Sequence, residues 1–149
     1  MDAAVGVLMD MDAVEDDRRI SFPYPNDHIS SPCGIDIAAD GSFALVANFS
    51  GHTLARLDLH SGAMSTLIDD ARLKSASGVA IAPDMSYALV ANWSGHDIGR
   101  IDLKSLTATF VKVPNLKGPR RIAVAPDGQW ALIDDASRGV GRFLSLIHI

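Results

Sequence analysis

Apolar residues along this chain come in short runs broken by turn residues, and the runs return at a fixed spacing. In the segment 77–111 the first run is Val79–Ala82, closed by Pro83-Asp84-Met85-Ser86. Proline presets a turn, and Asp bonds its own backbone there. The second run, Tyr87–Ala91, is apolar nearly throughout, as suits a central strand covered on both faces. The third, Ile98–Leu103, sets Arg100 and Asp102 between apolar neighbours, which fits a strand with one wetter face. The fourth, Thr107–Val111, is Thr-rich in the manner of an edge strand. Alternation, Gly and Pro turns and β-branched runs oppose a 3.6-residue period, so four strands are predicted and no helix.

The same four runs occur upstream. Gly34–Leu67 aligns without gaps on Gly78–Val111, at an offset of 44 and with 17 identities in 34 positions. A third copy, RIAVAPDGQWALIDDASRGVGRF, begins at Arg121, offset by 43 from the second. Phe43–Ala47 and Trp130–Ile133 repeat the central strand, Leu54–Leu59 repeats the third with Arg56 and Asp58, and Met64–Ile68 repeats the fourth. A period of about 40–50 residues built from four strands is the signature of propeller blades. Alanines at 38, 80, 82, 123 and 125 fall on the first strand of each copy, where blades converge on an axis and space is short. The expected fold is all-β: a β-propeller fragment of four-stranded antiparallel blades, incomplete at both ends. It forms one partial domain, 1–149, with a remnant blade 1–31, blades 33–75 and 77–117, and a partial blade 119–143. Leu45, Val46, Leu89, Val90 and Leu132 are expected among the most buried side chains.

At the amino-terminal end, Arg18–Pro25 resembles Thr109–Pro114 and Val5–Leu8 resembles Ile98–Ile101, so residues 1–25 are read as the last two strands of an earlier blade. At the other end, Leu144–Ile149 (LSLIHI) does not continue the repeat. It matches the in-frame translation of a common transposase-type sequencing adapter and is set aside as an artificial tail; the alternative is a divergent terminal strand. A six-bladed ring at this period needs roughly 260 residues. The chain is therefore expected to be an arc whose open flanks promote association.

Composition narrows the function classes. Thirteen basic against eighteen acidic residues leave a net charge of −5, which argues against a general nucleic-acid binder. No apolar run approaches the roughly 20 residues that span a bilayer, and the acidic start MDAAVGVLMDMDAVEDD has no basic n-region of a signal peptide. The compartment stays open. The single cysteine, Cys33, excludes an intrachain disulfide and is expected to be a small buried filler.

The copies resemble the NHL-repeat family of β-propellers, and more loosely the YVTN-type and gluconolactonase-like propellers. Gly34-Ile35-Asp36-Ile37 and Gly78-Val79-Ala80-Ile81 look like the family's Gly-Val-Ala-Val opening, and Asp40-Gly41 matches its turn. Val46-Ala47-Asn48-Phe49-Ser50-Gly51-His52-Thr53-Leu54 resembles its Val-Ala-Asp-x-x-Asn-His-Arg-Ile. Asn48 and Asn92 stand for the usual Asp, which Asp135 restores; His52 and His96 stand at the family's His, replaced by Gly139 in the third copy. The resemblance covers roughly residues 33–143 and implies a propeller that serves as an interaction platform, an RNA-binding module, a lactonase or a lyase.

In an up-and-down blade the loops after the second strand, carrying Asn48, His52, Asn92, His96 and Asp135, share one face with the connectors between blades. The Asp-Gly turns lie on the other face. Repeated Asn and Asp are candidate oxygen ligands for calcium, but a strand-ending Asn or Asp more often caps its own turn. The two histidines lack the Cys or carboxylate partners of a zinc site and are read as bonding a neighbouring backbone in each blade. Phe49 and Trp93 are read as packing between blades. Lys112, Lys117, Arg120 and Arg121 make a modest basic patch at one connector. No catalytic arrangement, metal site or cofactor is assigned. The leading function is a non-catalytic NHL-like platform whose loop face, through Asn48, His52, Asn92, His96, Arg120, Arg121 and Asp135, binds a protein or small ligand. The alternative is a lactonase- or lyase-like enzyme with an axial divalent cation, calcium; an RNA-binding propeller is third. A lone acid on an innermost strand would favour the enzyme, and Asp36 is the one such position, replaced by Ala80 and Ala123 in the other copies.

Overall fold

A computed structural model describes residues 20–144, and the side chain of Leu144 is left aside. Eleven strands are present and, among the described residues, no helix. The first sheet comprises β1 (Pro32–Ile37), β2 (Phe43–Asn48), β3 (Thr53–Asp58) and β4 (Met64–Asp69). The second comprises β5 (Ala76–Ile81), β6 (Tyr87–Asn92), β7 (Asp97–Asp102) and β8 (Thr107–Lys112). The third holds β9 (Pro119–Val124), β10 (Trp130–Asp135) and β11 (Gly139–Leu144). Every neighbouring pair is antiparallel and sequential, so each sheet is a meander, and the three form a β-propeller fragment.

The first strand of each sheet starts earlier than the apolar run suggests. A bulge between Pro32 and Gly34, and another between Ala76 and Gly78, lets the strand bend into pairing with the end of the second. Cys33 is the extra residue of the first bulge and is exposed, contrary to the buried filler expected. Ser77 at the second bulge is buried because the third sheet covers it, its hydroxyl donating to Pro119 O at 2.8 Å. The inner strands run side by side, β1 against β5 and β5 against β9. Their approach demands glycine: a Cβ on Gly34 would lie 2.8 Å from Gly78 Cα, and one on Gly78 would lie 2.6 Å from Arg120 O. Arg121 occupies the matching place in the third copy and ion-pairs with Asp134 at 3.6 Å.

Two apolar cores fill the gaps between sheets. Leu45, Ala47 and Leu54 of the first sheet meet Val79, Ile81, Val90 and Ile101 of the second. Leu89 and Ile98 of the second meet Ala131 and Ile133 of the third, backed by Ile122 and Val124. Because the second sheet is flanked on both sides, every residue of β5 and β6 is buried. The outer flanks differ. Ile35 and Ile37 are 66% and 60% exposed, while their counterparts Val79 and Ile81 are 6% and 7%. Four of the five side chains expected deepest (Leu45, Val46, Leu89 and Val90) are buried; Leu132 is 42% exposed. Its strand has the same pattern as the others, but it points away from the second sheet, toward a side that no described sheet covers.

Residues 20–31 contain no strand. Residues 28–31 instead run as a connector: Asn48 bonds Ser30 N and His28 O, as Asn92 bonds Lys74 N and Arg72 O, each pair 44 residues on. The strand expected at Val5–Leu8, and positions 145–149 of the tail, lie outside the described residues.

These cores set a stability contrast. Leu89→Ala is expected to cost about 2–5 kcal/mol through the cavity it leaves, whereas Leu132→Ala is expected to cost less than about 1 kcal/mol. Equilibrium urea unfolding of both variants checks this, and equal losses would mean that Leu132 is covered.

Candidate functional site

The connectors cross the loop face as irregular backbone, and their N–H and C=O groups need partners that no sheet supplies. The repeated side chains supply them. Asn92, at the end of β6, accepts from Lys74 N through Oδ1 at 2.6 Å and donates from Nδ2 to Arg72 O at 2.9 Å. The same Nδ2 donates to Asp97 Oδ1, and Lys112 Nζ closes on the other oxygen of Asp97 at 3.2 Å. From the preceding sheet, His52 Nδ1 donates to Leu73 O at 2.6 Å. A carbonyl only accepts, so this nitrogen carries the proton. The connector 70–75 is thus gripped from both sides, by a histidine behind it and an asparagine ahead.

The next connector repeats the grip with one change. His96 Nδ1 donates to Lys117 O at 2.5 Å. Asp135, which has no amide to donate, accepts two backbone donors through Oδ2, Lys117 N at 2.8 Å and Gly118 N at 3.2 Å. Its Oδ1 accepts from Ser137 N and Oγ, both at 2.8 Å. Asn or Asp at this point therefore follows from whether the connector presents a carbonyl and an amide, or two amides. Burial alone would raise the Asp135 carboxyl, but the bonds from Lys117, Ser137 and Gly118 outweigh it and hold the group well below the usual carboxylate range.

Five of the seven candidate residues, Asn48, His52, Asn92, His96 and Asp135, are accordingly committed to three connectors, Asn48 to the first, His52 with Asn92 to the second and His96 with Asp135 to the third. Arg120, the extra residue where β9 bends into pairing, lies over the Trp93 ring at 5.6 Å, and Trp93 meets Phe49 edge-on with centroids 6.5 Å apart. Arg121 stands on the outer flank of the third sheet with Asp134. Asp36 is taken up between sheets: its Oδ2 accepts from Ile81 N at 2.7 Å and its Oδ1 from Ile37 N. Among the described residues no group of three or more His, Cys, Asp or Glu side chains is placed to hold a metal ion.

One repeated contact escapes the residue-type patterns. Arg56, Arg100 and Arg142 lie over Phe43, Tyr87 and Trp130 at 4.6, 4.5 and 4.4 Å. The third strand's arginine thus covers the aromatic that opens the second strand. The signal was present in the sequence, since an aromatic and an arginine recur at matching places in all three copies.

Among solved structures, the fold is similar to a chain of Kuenenia stuttgartiensis hydrazine synthase, with TM-score 0.64, 21% identity, and coverage of 78% of this chain and 36% of that one. It is also similar to a chain of a nidogen/laminin complex, with TM-score 0.66, 18% identity, and coverage of 73% and 41%. Neither a protein-family profile nor a curated protein matches the chain. These likenesses support a β-propeller-like fold, and the chain spans well under half the length of either structure.

The Asp135 grip has a measurable signature. Asp135→Ala strands three backbone donors, Lys117 N, Gly118 N and Ser137 N, and is expected to cost about 2–4 kcal/mol. Since the folded carboxyl lies below its unfolded value of about 3.9, its stabilisation is complete above that value and is lost as pH falls toward the folded one. Stability of the wild type should therefore drop more steeply than that of Asp135→Ala below about pH 5; parallel pH profiles in urea titrations would contradict this account.

Proposed function

We propose that this chain is a non-catalytic NHL-like propeller module whose loop face binds an acidic protein segment or small ligand. One observation carries the reading. The side chains repeated on this face are tied to backbone, which stiffens the loops, and between them stand exposed Lys74, Lys117, Arg120 and Arg138 with no carboxylate partner among the described residues. Of the acids nearby, Asp70 is engaged with Arg72 at 2.8 Å, Asp97 with Lys112 and Asp135 with its connector, while Asp69 at the end of β4 is exposed. The opposite face carries Asp40, Asp58, Asp84, Asp102 and Asp127, each accepting backbone N–H groups of its own turn or, for Asp58 and Asp102, of the turn it opens. A structurally similar chain comes from a complex of two proteins, nidogen and laminin, which agrees with a binding role.

The axial-cation enzyme draws on the same Asn48, Asn92 and Asp135 oxygens, which already accept backbone N–H groups. Two measurements separate the readings. A polyglutamate peptide is expected to bind this acidic protein in a salt-sensitive manner and to lose affinity at least about tenfold on Lys117→Glu with Arg120→Glu, while Lys104→Glu on the other face leaves binding unchanged. Calcium is expected to give no saturable heat. One-to-one calcium binding that Asn92→Ala removes, with native circular dichroism retained, would replace the platform by the enzyme.

A further inference from the structure

The turn between the first two strands of each sheet places its third residue at positive φ: Gly41 at 74°, Met85 at 62° and Gly128 at 73°. At the junction of the first and second sheets this residue is Met85, whose side chain packs on the core between them. Arg56 there lies over Phe43 and reaches Asp58 at 3.8 Å. At the junction of the second and third sheets the residue is Gly128, which brings no side chain, and Tyr87 replaces Phe43. The Tyr87 hydroxyl donates to Gly128 O at 3.0 Å. The space that a methionine fills at one junction is a cleft of about 440 Å³ at the other, walled by Pro83, Asp84, Tyr87, Arg100, Asp127 and Gln129. That volume is in the range of small-molecule sites.

The charges in this cleft are incompletely answered. Arg100 lies over the Tyr87 ring at 4.5 Å, its Nε is buried without a hydrogen-bond partner, and unlike Arg56 it makes no ion pair among the described residues. The guanidinium as a whole, stacked on Tyr87 and without an ion pair among the described residues, is the positive charge of this cleft. Asp84 and Asp127 stand at the rim. Each uses Oδ1 within its own turn, toward Ser86 N and Oγ and toward Gln129 N, leaving Oδ2 without a hydrogen bond among the described residues. A simple anion would satisfy Arg100 but meet two carboxylates. A simple cation would satisfy the carboxylates but face the guanidinium.

We infer that the cleft between the second and third sheets binds a small zwitterion of the α-amino acid class, its carboxylate on Arg100 and its ammonium between Asp84 and Asp127. This site lies on the face opposite the loop platform and stands independently of it.

The test uses the full chain, labelled with ¹⁵N, and a pool of free L-amino acids, with acetate and methylamine as half-ligands. The amides of Ser86, Gly128 and Gln129 should shift saturably with at least one amino acid, and about tenfold or more weakly with either half-ligand. Gly128→Met should abolish the shift while keeping the native amide spectrum elsewhere; the side chain at φ 73° lowers the thermal melt modestly, a strain that Met85 already bears at 62°, and a Cβ at Gly128 meets nothing nearer than Pro83 Cδ at 3.9 Å. Arg100→Met, which keeps the stack on Tyr87 and removes the charge, should weaken binding about tenfold. Absence of any saturable shift, acetate binding as well as the amino acids, or shifts that survive Gly128→Met would each overturn the assignment.

Discussion

The arc depends on how its connectors satisfy their own backbone. Between one sheet and the next the chain must cross the loop face without a strand partner, and a connector with unmatched amides there would cost several hydrogen bonds' worth of desolvation. The grip of His52 and Asn92 on residues 70–75, repeated by His96 and Asp135 on the following connector, removes that cost. It also joins sheets to one another, since the histidine belongs to the sheet being left and the Asn or Asp to the sheet being entered. Apolar packing between sheets is non-directional; these bonds fix where each sheet sits.

How much of this the sequence disclosed depends on how local the cause is. Strand positions were legible because apolar runs and turn residues act over a few positions, and the buried β6 shows it. Exposure at Leu132 was not, because Leu45, Leu89 and Leu132 have the same local pattern and differ only in what lies beyond them. Cys33 misled for the same reason, its counterpart Ser77 being covered by the third sheet. Among the site residues, the histidines and the Asn/Asp positions stood out by repetition. The cleft comes from the reverse, one position where the repeat breaks, Met85 against Gly128, whose effect depends on which neighbouring sheet the side chain would reach.

Function divides along the same line. Residues that recur, such as Asn48 and Asn92, do architectural work, and residues that change between copies, such as Arg120 against Ser77 and Gly128 against Met85, shape surfaces. The repeated clamps give rigidity to the loop face, and on the turn face the junction of the second and third sheets has a glycine where the preceding one has Met85. A repeat array can vary such positions freely, because each blade needs its neighbours only along the inner strands, the cores and the clamps.

Arg121 bears on the geometry of the fan itself. Gly34 and Gly78 allow successive inner strands to touch backbone to backbone, closer than any side chain would permit. With arginine in that place, the outer flank of the third sheet presents a charged side chain where β1 and β5 present bare backbone, so that flank is not a copy of the two that meet a neighbour within the arc.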